Sequence, residues 1–188
     1  MPLHYIAWKQ ALGAWGCEFT EQRFYELGGL PIVDIVQLLG REQGIDMPIA
    51  EVAKRKEELY FEHLPNLQCV PEVREHIDHQ HGLIPFAVVS GSTRDSVEAS
   101  LRAIGLLNRF DVLVCAGDYA KSKPDPEPFL VAAERLGVSP EACLVFEDTQ
   151  MGIDAARAAG MSSVRVAAPW ERGTVTERRR CMDIVVDR

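Results

Sequence analysis

Two adjacent acids, Glu147 and Asp148, end the short apolar run from Cys143 to Phe146, and Thr149-Gln150-Met151-Gly152 follow. The pattern reads as a buried strand that stops at a pair of carboxylates, then a turn and a helix opening near Gly152. Adjacent carboxylates are poor structural choices there unless a cation binds them. Mg²⁺ is commonly held by one or two carboxylates together with a substrate phosphate. The competing account places the same acids at a helix N-terminus, where they suit its dipole. Two further stretches could do chemistry. Ser90-Gly91-Ser92 end the run from Leu83 to Val89, and Ser122-Lys123-Pro124-Asp125-Pro126 follow the run from Val112 to Cys115. Taken singly, they also read as a turn with a cap and as a helix entry. Taken together, the three stretches offer a hydroxyl with backbone N–H groups, an ammonium group and metal-binding carboxylates, a set that suits a phosphoryl group.

These stretches meet only if the strands before them are parallel. From Pro71 onward the sequence alternates helix and strand. A helix is predicted to about His81, then a strand over 83–89, then a helix capped by Ser92 or Thr93 and closed by Gly105. A strand at 112–115, a helix over 126–136 and the strand into Glu147-Asp148 come next. A helix to Ala159, a strand at 163–166 and one more short strand at 184–186 complete the series. Alternation at this pitch predicts an α/β fold, a parallel sheet with helices on both faces. All three stretches then lie at the carboxyl ends of strands, where open α/β sheets bind ligands.

The first third is predicted to be helical. Tyr5, Trp8, Leu12 and Trp15 share one helix face. Thr20 can cap a second helix that ends at Gly28-Gly29. Pro31 suits the first position of a third, which carries Ile32, Ile35, Val36 and Leu39 before Gly40. Pro48 opens a fourth, with Ile49, Val52 and Leu59 on one side. Lys56 falls on that stripe, so its amine either snorkels past the core or points into a cleft.

The chain has 188 residues, 47% hydrophobic and 26% charged, with a net charge of −8. Such a balance fits a soluble globular protein and disfavours nucleic acid or an anionic membrane as partner. No apolar run reaches about 18 residues and the start is not signal-like, which predicts a cytoplasmic chain. Cys17, Cys69, Cys115, Cys143 and Cys181 show no regular spacing, so no disulfide framework is expected. His76, His79 and His81 crowd around Asp78; a solvated helix end accounts for them better than zinc does.

The order V-V-S-G-S, S-K-P-D-P-E-P-F and F-E-D-T-Q-M-G-I resembles the haloacid dehalogenase (HAD) superfamily. Its β-phosphoglucomutase-like branch and its small sugar-phosphate phosphatases are the nearest look-alikes. The resemblance implies a HAD-like Rossmannoid core over 67–188 and an all-helical cap domain over 1–66. It implies a Mg²⁺-dependent phosphatase acting on a small phosphorylated metabolite, a sugar phosphate, as a monomer or homodimer. Ser90, with Gly91 and Ser92, matches the phosphate-binding stretch. Lys123 matches the lysine that neutralises nucleophile and phosphate. Asp148 matches the Mg²⁺ ligand, with Glu147 beside it. His4 matches a cap-hinge histidine facing the site, Gly29-Leu30-Pro31 a cap loop near the substrate, and Lys56 a cap lysine that reaches it.

Two departures stand out. The family's chemistry depends on an N-terminal D-x-D-G-T segment, whose first Asp forms an aspartyl-phosphate and whose second is the general acid and base. No D-x-D occurs here; Asp125-Pro126-Glu127 is the nearest approach. The sequence begins about where that segment would have just ended. The intact remaining motifs favour a missing segment over a protein that has discarded catalysis, and that non-catalytic binding or regulatory protein is the rival from another class. The second departure is Ile32, which stands where the mutases carry an arginine for the distal phosphate. That favours a phosphatase, although Lys56 keeps a sugar phosphomutase open.

Overall fold

The structure, a computed structural model, describes residues 1–167. The strand expected at 184–186 lies outside them. Threonines start three of the helices, each turning its hydroxyl to a free N–H of the first turn. Thr20 opens α2 (Glu21–Glu26), Thr93 opens α6 (Arg94–Ala103) and Thr149 opens α8 (Gln150–Ala158). The other helices are α1 (Pro2–Gly13), α3 (Ile32–Gln43), α4 (Ile49–His63), α5 (Pro71–Gln80) and α7 (Glu127–Leu136). The third helix does not stop at Gly40 as expected. It runs on to Gly44, which takes the left-handed conformation. Gly40 is needed for room instead: a Cβ there would lie 2.7 Å from the Ile45 carbonyl oxygen.

The helical part buries Trp8, Leu12, Phe19, Phe24, Val36 and Val52 in one cluster. A second cluster, Ala7, Ala11, Leu59 and Tyr60, joins α1 to α4 through small residues that let the helices approach. Among the described residues, no helix is long and apolar enough to cross a membrane.

The α/β part carries β1 (Ala87–Val89), β2 (Val112–Val114), β3 (Leu144–Glu147) and β4 (Ser162–Arg165). Successive strand residues point to opposite faces. Val89 and Val145 accordingly pack with Phe129 of α7 and Ala155 of α8, while Val88 and Leu113 pack with Ile77 of α5 and Leu101 of α6. Helices therefore cover both faces, as the alternation predicted.

The described strands form two parallel pairs rather than one sheet. β1 aligns with β2 (Val88 opposite Leu113), and β3 with β4 (Phe146 opposite Val164). Each of β1 and β3 thus has one edge with no strand partner among the described residues. Leu144 is 47% exposed, although it belongs to an apolar run. The first strand is also shorter than expected. Leu83 and Ile84 return their N–H groups to the Gln80 carbonyl at the end of α5, and Leu83 is 76% exposed. His76, one of the three crowded histidines, lays its ring against Phe146 at 5.0 Å.

Candidate active site

A cavity of about 200 Å³ opens between the helical part and the carboxyl ends of β1 and β3. Ser90, Gly91, Ser92, Lys123, Glu147 and Asp148 line it from the α/β side, and His4 and Lys56 from the helical side. Every site residue expected from the sequence therefore faces one space.

Glu147 ends β3 and is 9% exposed; Lys123, 8% exposed, donates directly to its Oε1. The Lys123 ammonium also lies 3.4 Å from the Val89 carbonyl and 4.7 Å over the Phe129 ring. Glu147 Oε2 accepts from the Asp148 N–H (2.8 Å), the Thr149 N–H (3.0 Å) and the Thr149 hydroxyl (3.1 Å). The same hydroxyl accepts from the Gly152 N–H at 3.1 Å and so caps α8. Burial alone would raise the Glu147 pKa. The Lys123 charge and hydrogen bond, with Thr149's two donors, more than offset it and hold the carboxyl below its usual range.

Both oxygens of Glu147 are thus committed. Sequence reasoning placed it beside Asp148 as a metal ligand; here it anchors Lys123. Asp148 differs. Burial, aided by the neighbouring Glu147 charge, raises its pKa, while the chain's amino group opposes the rise. A half-buried carboxylate held above its normal pKa at a cavity wall is stabilised by a cation. Among the described residues no group of three His, Cys, Asp or Glu side chains could cage a metal. Asp148, a hard oxygen donor on the cavity wall, fits Mg²⁺ held by one carboxylate, with waters and substrate oxygens completing its shell.

Ser90 follows β1, which continues into the loop through a Ser90 N–H bond to the Val114 carbonyl at 2.9 Å. Its hydroxyl accepts from the Ser92 N–H at 3.1 Å, a tight turn at the cavity wall. Tyr119 donates to the Ser90 carbonyl at 3.2 Å and braces the turn from behind. The loop at Gly29 closes the opposite wall. Its φ is +108°, and a Cβ there would meet Lys123 Cβ at 3.4 Å.

His4 stacks on Tyr60 with ring centroids 3.8 Å apart and planes 5° from parallel. Burial, then the Lys56 charge and the chain's amino group, push its pKa well below the ordinary value. It is therefore neutral at physiological pH. The unfolded chain binds a proton at His4 below about pH 6.5 where the folded one does not, so stability should fall as pH drops through that value. The slope attributable to His4 should approach about 1.4 kcal/mol per pH unit, and urea unfolding of His4→Asn at pH 7 and pH 5.5 should show it removed.

Lys56 is 2% exposed, so its amine does not snorkel to solvent. It lies 2.6 Å from Glu57 and faces the rings of Tyr60 (5.4 Å) and Trp8 (5.9 Å). Three residues at the site went unnoticed in the sequence. Thr149 carried a signal, a cap residue directly after the paired acids. Tyr119 and Glu57 carried none: one sits in an irregular loop, the other on a helix rich in charge.

Known proteins share this sequence pattern and fold. The family model for haloacid dehalogenase-like hydrolases matches residues 2–166. The chain is 37% identical over 166 residues to the fructose-1-phosphate phosphatase YqaB of Escherichia coli, covering 88% of each chain. It superimposes on a variant of CbbY from Rhodobacter sphaeroides in complex with xylulose-(1,5)-bisphosphate with a TM-score of 0.77 at 26% identity, covering 91% of this chain and 81% of that one. It matches the fold of β-phosphoglucomutase from Clostridium difficile with a TM-score of 0.78 at 23% identity, over 90% and 79% of the two chains. The chain belongs to the haloacid dehalogenase-like hydrolases, and the enzyme class that its named phosphatase relatives carry is phosphoric monoester hydrolase.

Proposed function

We propose that this protein is a Mg²⁺-dependent phosphatase of a small sugar phosphate. The observation that carries the reading is the convergence of Ser90, the Lys123–Glu147 pair and Asp148 on one cavity beneath Gly29. Residues 1–66 act as its cap and 67–167 as its core. The relative named fructose-1-phosphate phosphatase supports the choice of substrate class.

In this reading the Ser90 hydroxyl, itself held by the Ser92 N–H, and the Gly91 amide hold the phosphoryl oxygens. Lys123, fixed by Glu147, places a positive charge where negative charge builds during transfer. Asp148 would hold Mg²⁺, which supplies further charge neutralisation for the phosphoryl group. The cap loop at Gly29 excludes water, and neutral His4 lines the cap side without adding charge.

The attacking carboxylate is not among these residues. The edges of β1 and β3 that have no strand partner among the described residues are where the Asp-bearing strand of the family would pair. On that strand an aspartate oxygen bonds to phosphorus as the P–O bond to the sugar breaks, and the departing alkoxide takes up a proton. Water then hydrolyses the acyl phosphate and frees inorganic phosphate.

Phosphate release from a sugar-phosphate panel with Mg²⁺ tests the reading, comparing the 188-residue chain with a form that adds whatever its gene encodes in frame upstream. Turnover by the extended form, abolished by EDTA, is the expected result. If the upstream sequence holds no D-x-D and neither form releases phosphate, the protein is a non-catalytic binder.

A further inference from the structure

Lys56 is a buried charged group lining the cavity that this mechanism leaves unused, and half-buried Glu57 is its ion-pair partner. One Glu57 oxygen meets Lys56 at 2.6 Å, and the other accepts the hydroxyl of Ser96. Ser96 is 1% exposed and sits in the first turn of α6, where its own N–H is held by Thr93. Next to it Tyr60 and Ser100 share a hydrogen bond of 2.7 Å, again from α4 to α6. Glu57 is therefore fixed from both sides and cannot swing away from Lys56.

The consequence is electrostatic. Among the described residues lining the helical half of the cavity, Lys56 is the one charged side chain; its neighbours there are neutral His4, Trp8, Leu30, Ile32 and Ile35. Unpaired, this ammonium would attract a second phosphate. Paired, it contributes no net charge, and a dianion brought to it would come close to the half-buried Glu57 carboxylate that the ammonium holds. Like charges there strongly oppose binding. The ammonium has three N–H donors and spends one on Glu57, leaving two for uncharged hydroxyls.

We propose that Glu57 is a specificity-determining residue: by neutralising Lys56 it makes the cap end of the cavity accept the hydroxyl-bearing tail of a sugar monophosphate and refuse a bisphosphate. This rests on the phosphatase reading above.

Calorimetric titrations with Mg²⁺ test it through binding, independent of turnover. The ligands are fructose 1-phosphate, fructose 1,6-bisphosphate and inorganic phosphate. The proteins are the wild type, Glu57→Gln, and the double variant Lys56→Gln with Glu57→Gln. The wild type should prefer the monophosphate. Glu57→Gln retains an acceptor for Ser96 and releases the Lys56 charge, so bisphosphate affinity should rise by about tenfold while monophosphate affinity stays within about threefold. The double variant is neutral again and should return to the wild-type preference.

A mono-to-bisphosphate ratio unchanged in Glu57→Gln, with both sugars still binding, overturns the inference and leaves the phosphatase reading intact. Binding of inorganic phosphate without either sugar phosphate removes the sugar-phosphate reading, and this inference with it. If Glu57→Gln fails to fold, as its melting curve would show, the double variant decides: a changed ratio in that neutral pair overturns the charge argument.

Discussion

Lys123→Met should be the most damaging single substitution in this protein. It leaves Glu147 buried and charged with only Thr149 and backbone N–H groups as partners. Removing one member of a buried ion pair costs about 3–5 kcal/mol, and the remaining donors place this case near the lower end. Urea unfolding at pH 7 should show a lower midpoint with an unchanged slope. The pH dependence identifies the cause. In the wild type, Lys123 and Thr149 lower the Glu147 pKa, so the stability they contribute is present above the unfolded value of 4.5 and lost as pH falls through the folded one. In the variant, burial acts unopposed by Lys123 and the carboxyl protonates more readily. The gap between the two proteins should therefore narrow toward acid pH. In whichever form turns over, losing this charge beside the phosphoryl group should cost about 10²–10³-fold in kcat.

Gly152→Ala should reach nearly the same outcome by a steric route. A Cβ at this position would lie 2.0 Å from Glu147 Cδ and Oε1 and 2.5 Å from Cγ. The Gly152 backbone is helical, so alanine would otherwise stabilise α8 by about 0.5–1 kcal/mol. Instead the Glu147 carboxylate has to move, and its bonds to Lys123 and Thr149 move with it. Overpacking of this kind costs about 1–3 kcal/mol before the lost pair is counted. Gly13→Ala is the control. It lies at the end of α1 with nothing within 4 Å of the added methyl, and its stability should not fall. Equal effects at the two glycines would show that the Glu147 clamp is not what Gly152 protects.

Much of this was legible in the sequence because it rests on local chemistry. Thr20 and Thr93 announce their helices through cap geometry, and strand ends bearing Ser90, Lys123 and Glu147-Asp148 must share one edge once the strands are parallel. The sheet was less legible. Periodicity identifies apolar runs but not where pairing stops, so Leu83 and Ile84 read as strand although their N–H groups are spent on the end of α5. Gly40 read as a helix stop for the same reason, since the close approach of Ile45 is a tertiary fact. The division of labour between Glu147 and Asp148 was hidden too: adjacent acids alternate direction at a strand end, and only the fold says which one meets Lys123. Lys56 left snorkelling and cleft both open until its burial against Trp8 and Tyr60 decided between them.

In the phosphatase reading Ser90, Lys123 and Asp148 form a Mg²⁺-linked phosphoryl site. The measurement that tests it most directly is calorimetric titration of inorganic phosphate with and without Mg²⁺, on the wild type and on Asp148→Asn. Binding should need Mg²⁺ in the wild type and be lost in Asp148→Asn. Phosphate binding of equal strength in all four experiments, or none in any of them, would contradict it.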